Sequence, residues 1–281
     1  MRVLIAGCGY VGSALARRLV AAGHEVFGLR RTPDDLPDGV HPIAADLSQR
    51  ATLRPLPEPL DAVAYTAGAD RFDEASYKAA YVDGVRHFLA ALEEQRLLPQ
   101  RVLFTSSTAV YGQQEGEWID EGSPALPRGF SGRCLLEGER LVWAAGHPGL
   151  VVRLGGIYGP GRTRLIENVR GGTATLREGP YYTNRIHRDD CARALEHLLG
   201  LASPQPLYLG VDCEPADEAL VLQWLAERLG VPPPTRARTR DSARLRRSGS
   251  KRAANDRLLA TGYRFLYPTF REGYSALLGA G

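Results

Sequence analysis

The chain has 281 residues, a formal net charge of +3 and a hydrophobic content of 44%. This length allows one large α/β domain or a domain with a smaller lobe, and the apolar content suffices for a real core. The small net charge gives no argument for nucleic-acid binding, and no apolar run reaches the length of a membrane helix. Four widely spaced cysteines without a C-x-x-C pair favour free thiols over a metal site, so we expect a cytoplasmic protein without bound metal.

The first 31 residues carry the most informative pattern in the chain. Residues 3–6 form a short apolar run, residues 7–12 read Gly-Cys-Gly-Tyr-Val-Gly, and apolar residues then recur at helical spacing as far as residue 20. Residues 25–29 predict a second strand. G-x-G-x-x-G between a strand and a helix is typical of a dinucleotide site, whereas a tight turn in another α/β protein is the alternative.

Each glycine of this turn has a separate expected task. Gly7 permits the turn out of the strand, Gly9 lets a pyrophosphate approach the backbone, and Gly12 lets the helix pack closely on the sheet. The start of the helix, at Tyr10 and Val11, offers N–H groups and the positive end of the helix dipole to the phosphates. These five residues are therefore predicted to bind the cofactor.

The end of the second strand carries Arg30 and Arg31, where an NAD(H) site usually has an acidic residue that accepts from the ribose 2′-hydroxyl. A guanidinium instead pairs with a 2′-phosphate through two parallel hydrogen bonds. The two arginines therefore favour NADP(H) as the cofactor, with NAD(H) as the alternative. Otherwise they would be solvated charges in an arginine-rich chain.

Further candidate cofactor contacts follow the next two strands. Residues 40–45 predict a third strand that leads to Asp46 and Leu47, beside the expected position of the adenine ring. Asp46 could accept from the adenine amino group, or it could equally be a turn residue. Residues 61–65 predict a fourth strand, and the small residues Ala67 and Gly68 at its exit would let the ribose and nicotinamide lie against the backbone.

A run of hydroxyl groups follows the fifth strand. Residues 74–95 predict a long helix and residues 101–105 the fifth strand, which leads into Ser107 and on to Tyr111. Ligands of open α/β sheets bind at the carboxyl ends of the strands, so these hydroxyls are functional candidates. Ordinary turn and capping chemistry is the alternative explanation.

The second half of the chain is more mixed. We predict strands at residues 149–154 and 207–211, and helices at residues 132–145, 165–169, 189–201, 217–229 and 253–260. Basic residues dominate residues 236–252. They could contact phosphates, but the aromatic interleaving of a nucleic-acid platform is missing, which favours a basic loop without a binding role.

Four motifs in this order resemble the extended short-chain dehydrogenase/reductase superfamily, the group of NAD(P)-dependent sugar-nucleotide epimerases and dehydratases. They are the first strand–helix–strand unit, SSTAVYG at 106–112, RLGGIYGPG at 153–161 and RIHRDD at 185–190. The resemblance implies an α/β fold, with a Rossmann doubly wound parallel sheet at residues 1–159 that a strand near 206–211 rejoins. It also implies a smaller substrate lobe at residues 160–281. Members often dimerise through helices like those predicted at 74–95 and 132–145, which makes a homodimer an expectation by analogy.

Catalysis in that superfamily uses a Ser or Thr, a Tyr that gives or takes a proton, and a Lys that lowers the pKa of the Tyr. Ser107 matches the Ser. Aligned on the helix, Ser131 stands at the Tyr position and Leu135 at the Lys position, and none of the 12 tyrosines is followed by Lys four residues later. Serine is a poor proton donor near neutral pH and leucine cannot donate, so the chain is identified as an atypical member.

Two functions fit this departure. The first is an NADP(H)-dependent oxidoreductase with a relocated acid, for which Tyr111 and His187 join Ser107 as catalytic candidates, since His titrates in the useful range. The second is an NADP(H)-binding redox sensor or partner-binding module without turnover, which would share the same cofactor fold.

For the enzyme, the resemblance implies a small polar or anionic substrate such as a sugar nucleotide. The small net charge and the lack of a membrane-length apolar run predict no nucleic-acid or membrane partner. Arg153, Arg162 and Arg185 could bind its charge, or they could equally form salt bridges. The predicted substrate-binding residues are Ser107, Tyr158, Arg162, Tyr182, Asn184 and Arg185.

Overall fold

The structure is a computed structural model that describes residues 1–236 and 249–279. Within these residues the strands are β1 (Arg2–Ala6), β2 (Glu25–Arg30), β3 (Val40–Ala44), β4 (Ala62–Tyr65), β5 (Arg101–Ser107), β6 (Glu115–Ile119), β7 (Gly149–Leu154), β8 (Gly156–Tyr158), β9 (Thr175–Leu176), β10 (Tyr182–Thr183), β11 (Arg185–His187), β12 (Leu207–Gly210), β13 (Ala216–Asp217), β14 (Thr235–Arg236) and β15 (Ser250–Ala253).

The α-helices of the described residues connect these strands or cover them. They are α1 (Tyr10–Ala21), α2 (Glu74–Lys78), α3 (Gly84–Glu94), α4 (Phe130–Ala144), α5 (Arg164–Arg170), α6 (Arg188–Gly200), α7 (Glu218–Leu229), α8 (Asp256–Ala260) and α9 (Phe270–Gly279). Among the described residues, no helix combines the length and the apolar composition needed to cross a bilayer.

Seven strands form the central sheet in the order β12-β7-β5-β4-β1-β2-β3. The pairs β1–β2, β2–β3, β1–β4 and β4–β5 are parallel, and Val3 of β1 lies between Val26 and Ala62. Because β1 is covered on both faces, Val3, Leu4 and Ile5 are all fully buried, which explains its continuous apolar run. The chain builds the sheet outward from β1 on one side and from β4 on the other. This order confirms the predicted doubly wound α/β class and places the switch point between β1 and β4.

The chain divides into two compact units. The first comprises residues 1–110, 125–153 and 191–208, and the second comprises residues 111–124, 154–190 and the described residues from 209 onwards. The sequence-based division places the boundary at residue 159 and expects a strand near 206–211 to rejoin the sheet, where β12 lies. The first unit holds β1 to β5 and the glycine turn that follows β1.

The long helix predicted at residues 74–95 is α2 and α3 joined by a π-helical turn at Ala79–Asp83. A π-turn interrupts the regular hydrogen-bond ladder of an α-helix. The buried hydroxyl of Tyr65 donates to the Ala80 carbonyl at 2.6 Å, which gives that carbonyl a partner and fixes the turn against β4.

The second unit contains short paired strands and a separate apolar core. Its strand pairs are β6–β15, β8–β11, β9–β14 and β10–β13. Helices α5, α7 and α9 supply core residues such as Ile166, Leu225 and Phe270.

The helix predicted at residues 253–260 is wrong at its start. Ala253 belongs to β15, where its N–H donates to Asn184 Oδ1 at 2.7 Å, and α8 begins only at Asp256. The cause is the pairing of β15 with β6, a strand more than a hundred residues earlier that local patterning did not reveal. Most of the basic segment 236–252 falls in residues 237–248, outside the described residues.

We predict that Gly138→Ala lowers the free energy of unfolding by about 1–3 kcal/mol. A Cβ at this position of α4 would overlap the Tyr81 carbonyl oxygen and lie 3.0 Å from the Phe104 ring, and neither group can withdraw easily. The matched control is Gly200→Ala at the end of α6, where an added Cβ has no atom within 4 Å. Because Ala favours helices, this control should be neutral or stabilising. Urea denaturation measures both, and equal stability of the two variants would contradict the close contact.

Candidate active site

The glycine turn after β1 is packed against the end of β4. Gly7 has φ of +88°, and a side chain there would collide with the backbone of Ala67. A Cβ on Gly12 would lie 2.7 Å from Thr66 Oγ1, which donates to the Gly7 carbonyl at 2.9 Å. Gly9 instead faces open space, with the nearest atom 3.9 Å from a Cβ built there. Two glycines therefore close the turn, and the third leaves the room that a pyrophosphate requires.

Helix α1 begins directly at this turn. Gly9 is its N-cap, no side chain among the described residues caps this end, and the first turn contains no acidic residue. The first N–H groups of a helix lack intrahelical partners, and this end carries the positive part of the helix dipole. The open space at Gly9 and the uncapped helix start together fit the phosphates of a dinucleotide.

The two arginines at the end of β2, Arg30 within the strand and Arg31 after it, differ in their surroundings. Arg31 donates to both carboxylate oxygens of Asp70, at 2.8 and 2.9 Å, and both side chains are largely exposed. Arg30 is half-buried and makes no ion pair within the described part of the chain. Since β2 and β4 flank β1, the Arg31–Asp70 pair reaches across the end of β1. An exposed pair of this kind contributes at most about 1 kcal/mol, so a phosphate can compete for Arg31.

Asp46 closes a turn after β3. Its Oδ1 accepts from the N–H and the hydroxyl of Ser48, at 2.9 and 2.8 Å. The next residue, Leu47, has its carbonyl oxygen 3.1 Å from Nδ1 of His87. This arrangement supports the turn alternative for Asp46, and contact of either residue with adenine stays a prediction.

Ser107 ends β5, and α4 begins close to the turn that follows it. Ser107 Oγ accepts from the N–H of Ala109 at 3.2 Å, which leaves its own proton for another acceptor. Gly132 of α4 lies so near the Ala109 carbonyl that a side chain would collide with it. This contact fixes the start of α4, where Ser131 is partly exposed and Leu135 is buried.

A buried ion pair lies behind the end of β5. Glu139 is fully buried and accepts from Ser106 Oγ at 2.5 Å and from Arg153 Nε and Nη2 at 2.9 and 2.7 Å. Arg153 therefore forms a salt bridge rather than presenting its charge to an anionic substrate. The network joins β5, α4 and β7 and holds the backbone next to Ser107.

Tyr111 belongs to the second unit and is buried. Its hydroxyl donates to the Asp120 carbonyl at 2.8 Å. This bond closes the segment from Tyr111 through β6 to Asp120, which favours a structural task over the predicted catalytic one.

His187, the other relocated candidate, is also buried in the second unit. Its ring packs on those of Tyr158 and Tyr267, with centroid distances of 5.3 and 4.3 Å. Nδ1 accepts from the N–H of Asp189 at 3.2 Å. Burial lowers the pKa of His187, which favours the neutral imidazole, so its surroundings suit packing better than proton transfer.

Two of the residues predicted to bind substrate contact β15, and their contact with a substrate stays a prediction. Asn184 donates to the Lys251 carbonyl at 2.9 Å and accepts from the N–H of Ala253 at 2.7 Å. The Tyr182 ring lies 4.7 Å from the Arg252 guanidinium. Arg162 is exposed, and its backbone N–H donates to Gly159.

The last two predicted substrate residues, Tyr158 and Arg185, are buried with Asp212, which the sequence analysis missed. Arg185 Nη2 donates to Thr183 at 2.5 Å, and its carbonyl accepts from the N–H of Asp212 at 2.7 Å. Burial raises the pKa of Asp212 to about 8, although the Arg185 charge opposes this shift. A lone Asp after a strand is typical of a turn, so no local signal identified this carboxyl.

We predict that Asp212→Asn changes the pH dependence of stability. The pKa of this carboxyl is raised in the folded state. Its contribution to the free energy of unfolding is therefore fully present below its ordinary pKa of 3.8, and it is lost as pH rises towards 8. Between these limits, the free energy of unfolding of the variant minus that of the parent should therefore rise by about 1 kcal/mol per pH unit. Denaturant titrations across this range measure the change, and exposed Asp38→Asn supplies the background. Parallel curves for Asp212→Asn and the parent would contradict the buried carboxyl.

Comparison with known proteins supplies the family. The model of the NAD dependent epimerase/dehydratase family matches residues 3–205. The chain is 30% identical to Protein YeeZ of Escherichia coli K12, over 95% of this chain and 96% of that protein. It is also 30% identical to a 3-diazoavenalumate denitrifying reductase from a Streptomyces species, over 97% of this chain and 99% of that protein.

Solved structures agree with this assignment. A protein from Methylobacillus flagellatus, provisionally described as an NAD-dependent epimerase/dehydratase, is 40% identical, with 99% of this chain and 98% of that chain covered and a TM-score of 0.82. The human epimerase family protein SDR39U1, solved with NADPH, shares the fold at 24% identity, 99% coverage of both chains and a TM-score of 0.82. The resemblance predicted from the motifs is confirmed, and the chain belongs to the NAD-dependent epimerase/dehydratase family of extended short-chain dehydrogenases/reductases.

Proposed function

We propose that the protein is an NADP(H)-dependent reductase whose hydride acceptor needs no proton from the enzyme. The observation that carries this proposal is a glycine turn with open space for a phosphate at Gly9, on a chain that has no Tyr followed four residues later by Lys. When bound, the nicotinamide supplies hydride. The residues of this chain bind and orient the dinucleotide, and Ser131 and Leu135 leave the superfamily's acid position without an acid.

The cofactor would be held by residues of the first unit. The backbone from Gly9 to Gly12 would bind the pyrophosphate, and Arg30 and Arg31 the 2′-phosphate. Asp46 and Leu47 remain candidates for the adenosine end, and Ala67 and Gly68 for the nicotinamide ribose. Structures related at 24% identity contain NADPH in one case and NAD in another, so the choice of NADP(H) rests on Arg30 and Arg31.

The nature of the acceptor follows from what residues 131 and 135 can do. A carbonyl that takes up hydride becomes an alkoxide and requires a proton, which the superfamily draws from its tyrosine. Serine and leucine at these positions cannot provide that proton near neutral pH. An acceptor that is already positively charged is neutralised by the hydride, so that it needs no acid. Ser107, with its proton free for an acceptor, would orient the substrate.

The predicted sugar-nucleotide substrate has less support than a cationic acceptor. Tyr158 and Arg185 are buried, and Asn184 holds β15, so these side chains do not form an exposed anion site. The denitrifying reductase relative acts, by its name, on a diazo compound. Reductive loss of nitrogen from an aryl diazonium ion requires hydride and no proton, which matches the residues at 131 and 135.

The proposal predicts stereospecific hydride transfer to a diazonium ion. The protein is given benzenediazonium and NADPH deuterated on either face of nicotinamide C4, and deuterium in the benzene product is measured by mass spectrometry. Label should arrive from one face only. Gly9→Asp, which places a carboxylate in the open phosphate position, should abolish the transfer. Equal label from both faces is the result expected without protein, and it would exclude the reductase. If NADPH nevertheless binds tightly, the non-catalytic redox sensor would be favoured.

We further predict that Arg30→Ala and Arg31→Ala weaken NADPH binding by about 10- to 100-fold, since hydrogen bonds to charged groups contribute about 1.5–3 kcal/mol. NADH binding should change little. Asp70→Asn should tighten NADPH about two- to fivefold, because it removes the carboxylate that competes for Arg31. Titrations of nicotinamide fluorescence give the affinities. Equal losses for NADPH and NADH in the arginine variants would refute a 2′-phosphate site.

A further inference from the structure

Four aromatic side chains of the first unit form a partly exposed cluster beside the end of β4. The Phe72 ring lies 5.5 Å from Tyr77 and 5.1 Å from Phe130, measured between centroids. The Tyr77 ring lies 5.4 Å from Phe130 and 5.3 Å from Tyr81. Phe72 exposes 55% of its surface, which is high for a ring that already has aromatic partners. These four residues are called the aromatic platform below.

The platform adjoins the two places where hydride chemistry is expected. At one end, a Cβ on Gly68 would lie 3.7 Å from the Tyr81 hydroxyl, and Gly68 is predicted to contact the nicotinamide ribose. At the other end, Phe130 begins α4 and is followed by Ser131, at the superfamily's tyrosine position. The platform therefore extends from the predicted nicotinamide position to the residue before Ser131. Because Tyr77 stands nearly perpendicular to Phe72 and Phe130, with interplanar angles of 82° and 87°, a flat molecule would stack on the face of one ring.

The platform is held in place by the helices behind it. Tyr81 lies in the π-turn that the Tyr65 hydroxyl fixes through Ala80, and Gly138 of α4 makes room for the Tyr81 carbonyl. Burial raises the pKa of Tyr77, which keeps its phenol neutral. A surface ordered before binding loses little conformational entropy when a ligand arrives.

The charge of the platform suits a cation. The face of an aromatic ring is the negative end of its quadrupole and attracts positive charge. Leu135 replaces the lysine that would otherwise repel a cation here. At the edge, Glu74 and Arg133 lie 3.8 Å apart as an ion pair, so they add no net charge.

We infer that the aromatic platform binds the ring of a planar aromatic cation, such as an aryl diazonium ion, and holds it for reduction. This inference rests on the proposed function and names the substrate class of that site. In the reaction the aryl carbon gains a hydride with its electron pair, and the C–N bond breaks with its pair leaving on N2. The reduced nicotinamide is the two-electron donor, and no proton enters or leaves.

Binding of an unreactive cation tests the platform apart from the chemistry. The probe is N-methylquinolinium, titrated by fluorescence into protein saturated with NADP⁺, which cannot donate hydride. It should bind at least about threefold more tightly than neutral quinoline. Phe72→Leu and Tyr77→Leu, which keep an apolar side chain, should each weaken the probe about three- to tenfold. The matched control is Trp118→Leu, an exposed aromatic residue of the second unit, which should leave the affinity unchanged.

Three results would overturn the inference. The first is equal affinity for the cation and for quinoline, and the second is an unchanged affinity in both leucine variants. The third is a pair of observations: sedimentation shows that Phe72→Leu dissociates a dimer, and probe binding in the parent falls as protein concentration rises. Together they would show that a second copy of the chain covers the platform. Failure of the proposed function is read separately, since deuterium transfer could be absent while the probe still binds the platform.

Discussion

The close contact between the turn after β1 and the end of β4 determines where the rest of the candidate site lies. Gly7 and Gly12 admit the backbone and side chain of Ala67 and Thr66, so the two strand ends meet at the switch point of the sheet. From there α1 starts with open N–H groups, and the chain after β4 leads to Gly68. A larger side chain at either glycine would separate the phosphate position from the nicotinamide position.

Behind β5, the strongly charged groups neutralise one another. Glu139 and Arg153 are buried together with Ser106, and removing one member of such a pair costs about 3–5 kcal/mol because it leaves a buried charge. The residues beyond them carry hydroxyls and aromatic rings, and Leu135 is buried among them. A site of this composition can orient and stack a substrate, and it has no tyrosine followed four residues later by lysine. Under the function proposed above, such a site transfers hydride without the acid–base catalysis of the wider superfamily.

The second unit uses its polar residues mainly to build itself. Asn184 bonds two backbone groups of β15 through its amide, and Asp190 accepts from the Tyr263 hydroxyl and from two backbone N–H groups of the C-terminal segment. These bonds explain why the motif RIHRDD can be prominent in the sequence without presenting reactive groups. These hydrogen bonds join residues some seventy positions apart in the chain, and local sequence patterns do not predict contacts at that separation.

The sequence by itself determined the doubly wound sheet, the glycine turn and the absence of a Tyr–Lys pair, because strand hydrophobicity, helix spacing and tight turns are local properties of the chain. It also identified Arg30 and Arg31, since they follow a strand at a known offset from the glycines. Only the tertiary structure decided that Tyr111, His187 and Asn184 have partners within the second unit, that Arg153 pairs with Glu139, and that Phe72 and Phe130 share one surface. Each of these depends on contacts between residues far apart in the chain, and burial and pairing of that kind arise only when the elements pack.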